Sequence, residues 1–156
     1  MYAAQLTHTF DAAHRLPHLP GKCTNLHGHT WRTTIYIAAA DLHDGVLVEF
    51  GSFKTLMRDW IDTNLDHAAL LGAADPLTPA LRAEGCRVFT FDTAAGHASS
   101  WPTVETVAHL IGHQAGQWLF NLASPRHAQI SRVDVAETPA NTATWINPNS
   151  ATWTTA

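Results

Sequence analysis

Three histidines, one before a short loop and two after it, most constrain what this chain can fold into. His27 and His29 are two residues apart, so on an extended strand both side chains leave the same face. Thr30 to Ile37 are rich in β-branched and aromatic residues and predict a strand. Leu6 to Phe10 alternate with period two and predict an earlier strand that leads to His14. Antiparallel pairing of these strands would carry His14 to the end of the sheet that holds His27 and His29.

A cluster of this kind is typical of a metal site. Three neutral imidazoles with an open fourth position are the arrangement of a catalytic zinc site, whereas four protein ligands make a closed structural one. Cys23 lies four residues before His27 and would be the fourth ligand of a closed site. Because the chain has 11 histidines, each of these three can also be an ordinary core or surface residue. The spacing alone leaves all three interpretations open.

Composition limits the class of protein. The 156 residues, 46% of them hydrophobic, suit one domain over 1–156 with a real core. Charged residues make up only 14%, which favours buried subunit contacts. The net charge of -4, with scattered basic residues, argues against nucleic-acid binding. The sequence has no apolar run of about 18 residues and no basic-then-apolar leader. We therefore expect a cytoplasmic protein in which Cys23 and Cys86 are reduced.

Apolar stripes at helical spacing predict two amphipathic helices. The first is expected to start at an N-cap, Ser52, and to run to about Leu65. The second is expected to start near Pro102-Thr103 and to run to about Leu122.

Two further strands are predicted at Gln129–Thr138 and Thr142–Ile146, joined by a turn. The order ββααββ predicts an α+β fold, a four-stranded antiparallel sheet with two helices on one face. The segment from Leu70 to Trp101 is longer than a compact connection needs, and its apolar piece Cys86–Phe91 is a candidate edge strand.

Two further groups of residues suggest chemistry. If the neighbouring side chains of Asp66 and His67 converge, the carboxylate fixes the tautomer of the imidazole and His67 becomes a proton shuttle. The alternative is an ordinary helix end. Glu137 closes an apolar strand, where a carboxylate needs a donor pair such as the guanidine-like edge of a heterocycle. The alternative is an exposed strand terminus.

Taken together, the residues resemble those of a known family. The motifs occur in the order seen in the 6-pyruvoyl-tetrahydropterin and 6-carboxy-tetrahydropterin synthases, over nearly the whole chain. They are Phe10 to Leu16, Lys22 to His29, Leu65-Asp66-His67, Pro102 to Glu105, and Glu137-Thr138. The three-residue gap between Cys23 and His27 resembles the 6-carboxy branch of the queuosine pathway.

The resemblance implies a fold, an assembly and a set of roles. The fold implied is the tunnelling fold with an inserted segment between the helices, in which trimers, or two stacked trimers, place active sites at subunit junctions. The roles implied are zinc ligands at His14, His27 and His29, a base at Cys23, a proton relay at Asp66 and His67, and pterin binding at Glu137, Thr103 and Glu105.

The reaction implied is that of a zinc-dependent lyase. Its substrate would be 7,8-dihydroneopterin triphosphate, and its products 6-carboxy-5,6,7,8-tetrahydropterin, acetaldehyde and triphosphate. The chain departs from the family pattern at Leu71-Gly72, where asparagine is usual, and at Glu49-Phe50, where aspartate precedes phenylalanine. The alternatives are 6-pyruvoyl-tetrahydropterin synthase activity, a non-catalytic zinc-binding protein, and a cysteine hydrolase with Cys23 as nucleophile.

Overall fold

A six-stranded mixed sheet forms the frame of the protein in a computed structural model that describes residues 1–122 and 128–150. The strands are β1 (Tyr2–His14), β2 (His27–Ala39), β3 (Ala68–Gly72), β4 (Val88–Phe91), β5 (Gln129–Ala136) and β6 (Thr142–Ile146). Their spatial order is β4-β3-β1-β2-β5-β6. The helices are α1 (Phe50–Asn64), α2 (Leu77–Ala83) and α3 (Val104–Asn121).

The two longest strands, β1 and β2, form the centre of the sheet. They pair antiparallel from Tyr2 opposite Ala39 to His14 opposite His27, as the alternating pattern predicts. β5 pairs antiparallel with β2, and β6 with β5. β5 ends at Ala136, two residues before the predicted end.

The start of α1 differs from the prediction. Ser52 is not the N-cap but lies inside the helix, which begins at Phe50. The cap is Glu49, whose carboxylate accepts hydrogen bonds from the backbone N–H groups of Gly51 (2.7 Å) and Ser52 (2.6 Å). A hydrogen bond from the Ser52 side chain, followed by these two backbone bonds, lowers the pKa of Glu49. A carboxylate cap satisfies two N-terminal donors and suits the positive end of the helix dipole, so the helix starts earlier than the apolar stripe.

One face of the sheet carries the core. Along β1 the even-numbered residues Phe10 and Ala12 are buried, and along β2 the odd-numbered residues Trp31 and Ile35 are buried. They pack into one cluster with the apolar stripes of two helices, Phe53, Met57 and Ile61 from α1 and Val107, Ile111, Ala115 and Trp118 from α3. The expectation of helices on one face is confirmed for α1 and α3.

The segment between α1 and α3 adds strands and a helix to the predicted architecture. We expected four antiparallel strands and two helices, but β3 and β4 extend the sheet to six and α2 lies between them. β3 runs parallel to β1, and β4 runs parallel to β3 at the edge. Parallel strands need a crossover connection, and α2 provides one, which explains the length of the segment. The candidate edge strand within Cys86–Phe91 is confirmed as β4.

A buried ion pair fixes this added unit to the end of β1. The Arg15 guanidinium donates two hydrogen bonds, of 2.8 and 2.9 Å, to the carboxylate of Asp75, which is 2% exposed. Burial alone would raise the pKa of Asp75, but the hydrogen bonds from Arg15 and from the Leu77 N–H hold it below its usual value. Among the described residues, no helix is both long enough and apolar enough to cross a bilayer.

Candidate active site

The pairing of β1 with β2 assembles the three predicted histidines. His14 lies opposite His27, and Ala12, two residues earlier, lies opposite His29, so all three side chains leave one face. The ring centroids are 4.6 Å apart for His14 and His27, 5.2 Å for His14 and His29, and 4.9 Å for His27 and His29. One nitrogen from each ring lies within 4.8 Å of the other two.

Backbone carbonyls orient two of these rings. Nδ1 of His14 lies 2.9 Å from the carbonyl oxygen of Pro102, and Nδ1 of His27 lies 2.8 Å from that of Asn25. A carbonyl can only accept, so each Nδ1 carries the proton and each Nε2 keeps a free lone pair. A carbonyl that holds Nδ1–H in this way is the usual outer partner of a metal-binding histidine.

His14 is the deepest member of the cluster. It is 1% exposed, and its Nε2 has no hydrogen-bond partner within the described parts of the chain. Burial lowers the pKa of His14, and the neighbouring His27 and His29 add to this effect against the opposing influence of Pro102 and Glu137. The ring is therefore neutral near pH 7. A buried, unpaired acceptor costs about 1–3 kcal/mol, and a bound cation would satisfy it.

Trp31 packs against the core side of the histidine cluster. Its ring is fully buried 4.9 Å from His14, and its indole N–H donates to the carbonyl of Ala12 at 3.1 Å. It also follows His29 by two residues on the same face of β2. The indole thus closes the cluster on its core side and leaves the outer side for a ligand.

Cys23 lies outside this cluster. It is half-buried in a short 3-10 turn, Lys22–Thr24, whose position is set by a hydrogen bond of 2.7 Å from the Leu16 N–H to the Cys23 carbonyl. The group of potential ligands in the described residues contains three imidazoles and no thiol. This arrangement favours an open three-histidine site over the closed site with four protein ligands.

The side chains of Asp66 and His67 converge. The Asp66 carboxylate lies 2.6 Å from Nδ1 of His67 and accepts a second hydrogen bond, of 2.9 Å, from the Asp11 N–H. Burial would raise the pKa of Asp66, but these two bonds and the charges of His67 and Arg87 hold it below its usual value. His67 has a left-handed φ of 54°, which is uncommon outside glycine. The carboxylate therefore stays ionised and fixes the tautomer with Nδ1 protonated.

His67 borders a recess that one member of the histidine cluster also lines. The lining residues include Asp11, Ala13 and His29. The side chains of Asp11 and Ala13 alternate along β1 with those of Ala12 and His14, so they face the opposite side of the sheet. The imidazole of His67 is largely exposed in that recess.

The three predicted substrate-binding residues have different surroundings. Oε2 of Glu137 is 3.8 Å from Nε2 of His14, and its Oε1 accepts from the Asn141 amide at 3.3 Å. Thr103 is the N-cap of α3, at the predicted start, and its hydroxyl accepts from the Thr106 N–H. Glu105 is exposed on the first turn of α3. The structure brings only Glu137 to the cluster through its side chain.

Sequence reasoning missed two contributors to this site. The Pro102 carbonyl reaches His14 across 88 residues of chain, and the pattern of side chains carries no signal for a backbone acceptor. Trp31 could have been found, because it continues the alternation of His27 and His29 along β2.

Comparison with known proteins decides the family. The family model described as 6-pyruvoyl tetrahydropterin synthase matches residues 4–147. The chain belongs to the 6-pyruvoyl tetrahydropterin synthase family. This confirms the resemblance that the motifs indicate.

Several curated relatives carry the name of the 6-carboxy enzyme. A protein of Halobacterium salinarum, named a probable 6-carboxy-5,6,7,8-tetrahydropterin synthase, is 31% identical over 135 residues, which are 85% of this chain and 79% of the relative. A 6-carboxy-5,6,7,8-tetrahydropterin synthase of Rickettsia bellii is 42% identical over 67 residues, 42% of this chain and 49% of the relative. One of Synechocystis is 36% identical over 83 residues, 48% of this chain and 64% of the relative. The chain thus matches about half to two thirds of the length of the last two relatives.

Solved structures support the fold. An uncharacterised protein of Wolinella succinogenes aligns with a TM-score of 0.68 at 21% identity, covering 94% of this chain and 99% of the other. The 6-pyruvoyl tetrahydropterin synthase of Caenorhabditis elegans aligns with a TM-score of 0.61 at 20% identity, covering 94% and 95%. The fold is the tunnelling fold, as expected, with the added strands described above.

Proposed function

We propose that this protein is a zinc-dependent lyase. Its substrates are 7,8-dihydroneopterin triphosphate and one water molecule, and its products are 6-carboxy-5,6,7,8-tetrahydropterin, acetaldehyde and triphosphate. The observation that carries this proposal is the unpaired, buried Nε2 of His14 beside His27 and His29, in a chain whose relatives are named for this product. We place the reaction in the cytoplasm, within queuosine or related 7-deazapurine biosynthesis.

The three imidazoles would hold Zn²⁺. Neutral nitrogen donors suit this ion, and three protein ligands leave a position for substrate. When bound, zinc supplies Lewis acidity that makes the protons next to the two side-chain hydroxyls of the substrate easier to remove. The carbonyls of Pro102 and Asn25 support this role because they fix two of the rings.

Cys23 acts as the base in this proposal. Its turn precedes β2 by three residues and is tied to the end of β1 through Leu16. The thiol therefore stays near the strand ends that carry the histidines without belonging to the metal-binding group. In this position it takes a proton from the substrate side chain.

Asp66 and His67 return protons to the substrate. Because the Asp66 carboxylate holds Nδ1–H of His67, the exposed Nε2 is the atom that exchanges protons. A general acid–base group of this kind contributes about a hundred- to ten-thousand-fold in rate. We further propose a homo-oligomer, a trimer or a dimer of trimers, with active sites at subunit junctions. The low share of charged residues, 14%, supports buried subunit contacts.

Glu137 anchors the pterin. Its carboxylate lies beside His14 at the end of β5, where a donor pair on the heterocycle reaches it. The Thr103–Glu105 segment lies next to Pro102, which contacts the same histidine, and we assign it to the wall of the pterin pocket.

The decisive experiment is incubation of the purified, zinc-loaded protein with dihydroneopterin triphosphate. We expect acetaldehyde and 6-carboxytetrahydropterin in equal amounts, and loss of both after chelation and dialysis. A 6-pyruvoyl product without acetaldehyde would show the other activity of the family. Turnover that survives complete removal of metal would refute the lyase and favour a cysteine hydrolase, which a trapped acyl intermediate would identify.

A further inference from the structure

A second pair of histidines lies on α3, away from the three-histidine cluster. His109 and His113 are four residues apart, so their side chains project from the same face of the helix on successive turns. Their ring centroids are 4.3 Å apart and the rings are tilted by 41°. Two histidines at this spacing on one helix face are a recurrent metal-binding arrangement.

The surroundings leave both rings available as ligands. Within the described residues, neither imidazole makes a hydrogen bond or an ion pair. Both contact the indole of Trp145 on β6, at centroid distances of 6.3 Å for His109 and 5.7 Å for His113. His113 is exposed and His109 is half-buried. The pair therefore has one wall of protein and one side open to solvent.

Burial favours the neutral, ligand-competent form of His109. Its pKa is lowered first by burial and then by the neighbouring His113 and His97. Nδ1 of His97 accepts the Asp92 N–H at 3.0 Å, so the neutral ring carries its proton on Nε2 and has no free lone pair. Neither His97 nor Glu105, one turn before His109, completes a three-ligand group with the pair. Within residues 1–122 and 128–150, this place thus offers two imidazoles and no third ligand.

We propose that His109 and His113 bind one transition-metal ion of the borderline class, Cu²⁺, Ni²⁺ or Zn²⁺, at a site separate from the three-histidine cluster. Imidazole donors suit these ions, whereas Mg²⁺ and Ca²⁺ require oxygen ligands. The remaining coordination positions are open to water or to a small anionic ligand. Along α3 the pair lies roughly 9–15 Å by the helical rise from Thr103, the residue after Pro102, whose carbonyl contacts His14. The two sites share no ligands, because the cluster consists of His14, His27 and His29.

The test is a titration of the full-length protein with Cu²⁺, followed by calorimetry and by tryptophan fluorescence. The variants are His113→Ala, His109→Gln, His27→Ala and, as a matched control, His43→Ala. The His43 side chain is 73% exposed and belongs to neither site. Circular dichroism checks that each variant is folded.

We expect the wild type and His43→Ala to bind one more Cu²⁺ than His113→Ala, with quenching of Trp145. Losing one of the two ligands should weaken this site by at least about a hundredfold, since loss of even an outer partner costs about 10–100-fold. His27→Ala should keep the extra Cu²⁺. The proposal is overturned if His113→Ala and His109→Gln both titrate like the wild type, or if His27→Ala alone removes the second equivalent.

Discussion

Two glycines on α3 provide a sharp test of how β6 packs against this helix. A Cβ added to Gly112 would lie 2.3 Å from Cε3 of Trp145 and 2.6 Å from its Cζ3, whereas a Cβ added to Gly116 meets nothing within 4 Å. The two residues lie one turn apart on the same helix. They differ mainly in whether β6 packs against them.

The two substitutions by alanine should change the stability of the protein in opposite directions. Alanine is favoured over glycine in a helix interior by about 1 kcal/mol, so Gly116→Ala should stabilise the protein by about that amount. At Gly112 the indole must move by roughly 1 Å to reach ordinary contact, and overpacking of this kind costs about 1–3 kcal/mol. Because β6 holds Trp145, we expect the upper end of that range, and thus a net loss of about 2 kcal/mol.

Thermal and urea denaturation at matched protein concentration measure the difference. For a domain of this size, about 1 kcal/mol shifts Tm by roughly 2–4 °C, so Gly112→Ala should lower Tm by about 4–8 °C and Gly116→Ala should raise it. In a Trp145→Ala background, Gly112→Ala should no longer destabilise the protein, because the indole that it would contact is absent. Equal effects of the two substitutions, or no rescue in that background, would refute the reasoning.

The remaining predictions concern the site and its support. Cys23→Ala should keep its zinc by metal analysis and lose turnover; loss of the metal would instead indicate a closed site. Glu137→Gln should weaken pterin binding in calorimetry with little change in zinc content, and an unchanged affinity would rule out its anchoring role. The pKa of Asp75 is lowered by its pairing with Arg15, so its contribution is complete above its unfolded pKa of about 3.9 and lost as the pH falls through the folded value. Asp75→Asn should therefore destabilise by about 2 kcal/mol at pH 7, less than a fully buried pair because Arg15 is partly exposed, and by progressively less as the pH falls below the unfolded pKa. A loss that stays constant as the pH falls would contradict this.

Much of the candidate site followed from local pattern. Alternation with period two fixes which side of a strand each residue occupies, so His27 and His29 had to share a face, and pairing with the first strand had to bring His14 to them. The neighbouring positions of Asp66 and His67 likewise allowed their hydrogen bond. These are short-range consequences of backbone geometry. The prediction of Ser52 as the helix cap was wrong because Glu49 caps the helix instead. The apolar stripe shows where the buried face of the helix lies, but it carries no information about the capping residue.

By itself, the sequence determined the two central strands, the apolar stripes of α1 and α3, and the face shared by the three imidazoles. Only the tertiary structure decided that β3 and β4 join the sheet in parallel, that the Pro102 carbonyl orients His14, and that Trp145 rests on Gly112. Each of these contacts joins residues far apart in the chain. Their energies depend on which surfaces meet after folding, and no local periodicity encodes that choice.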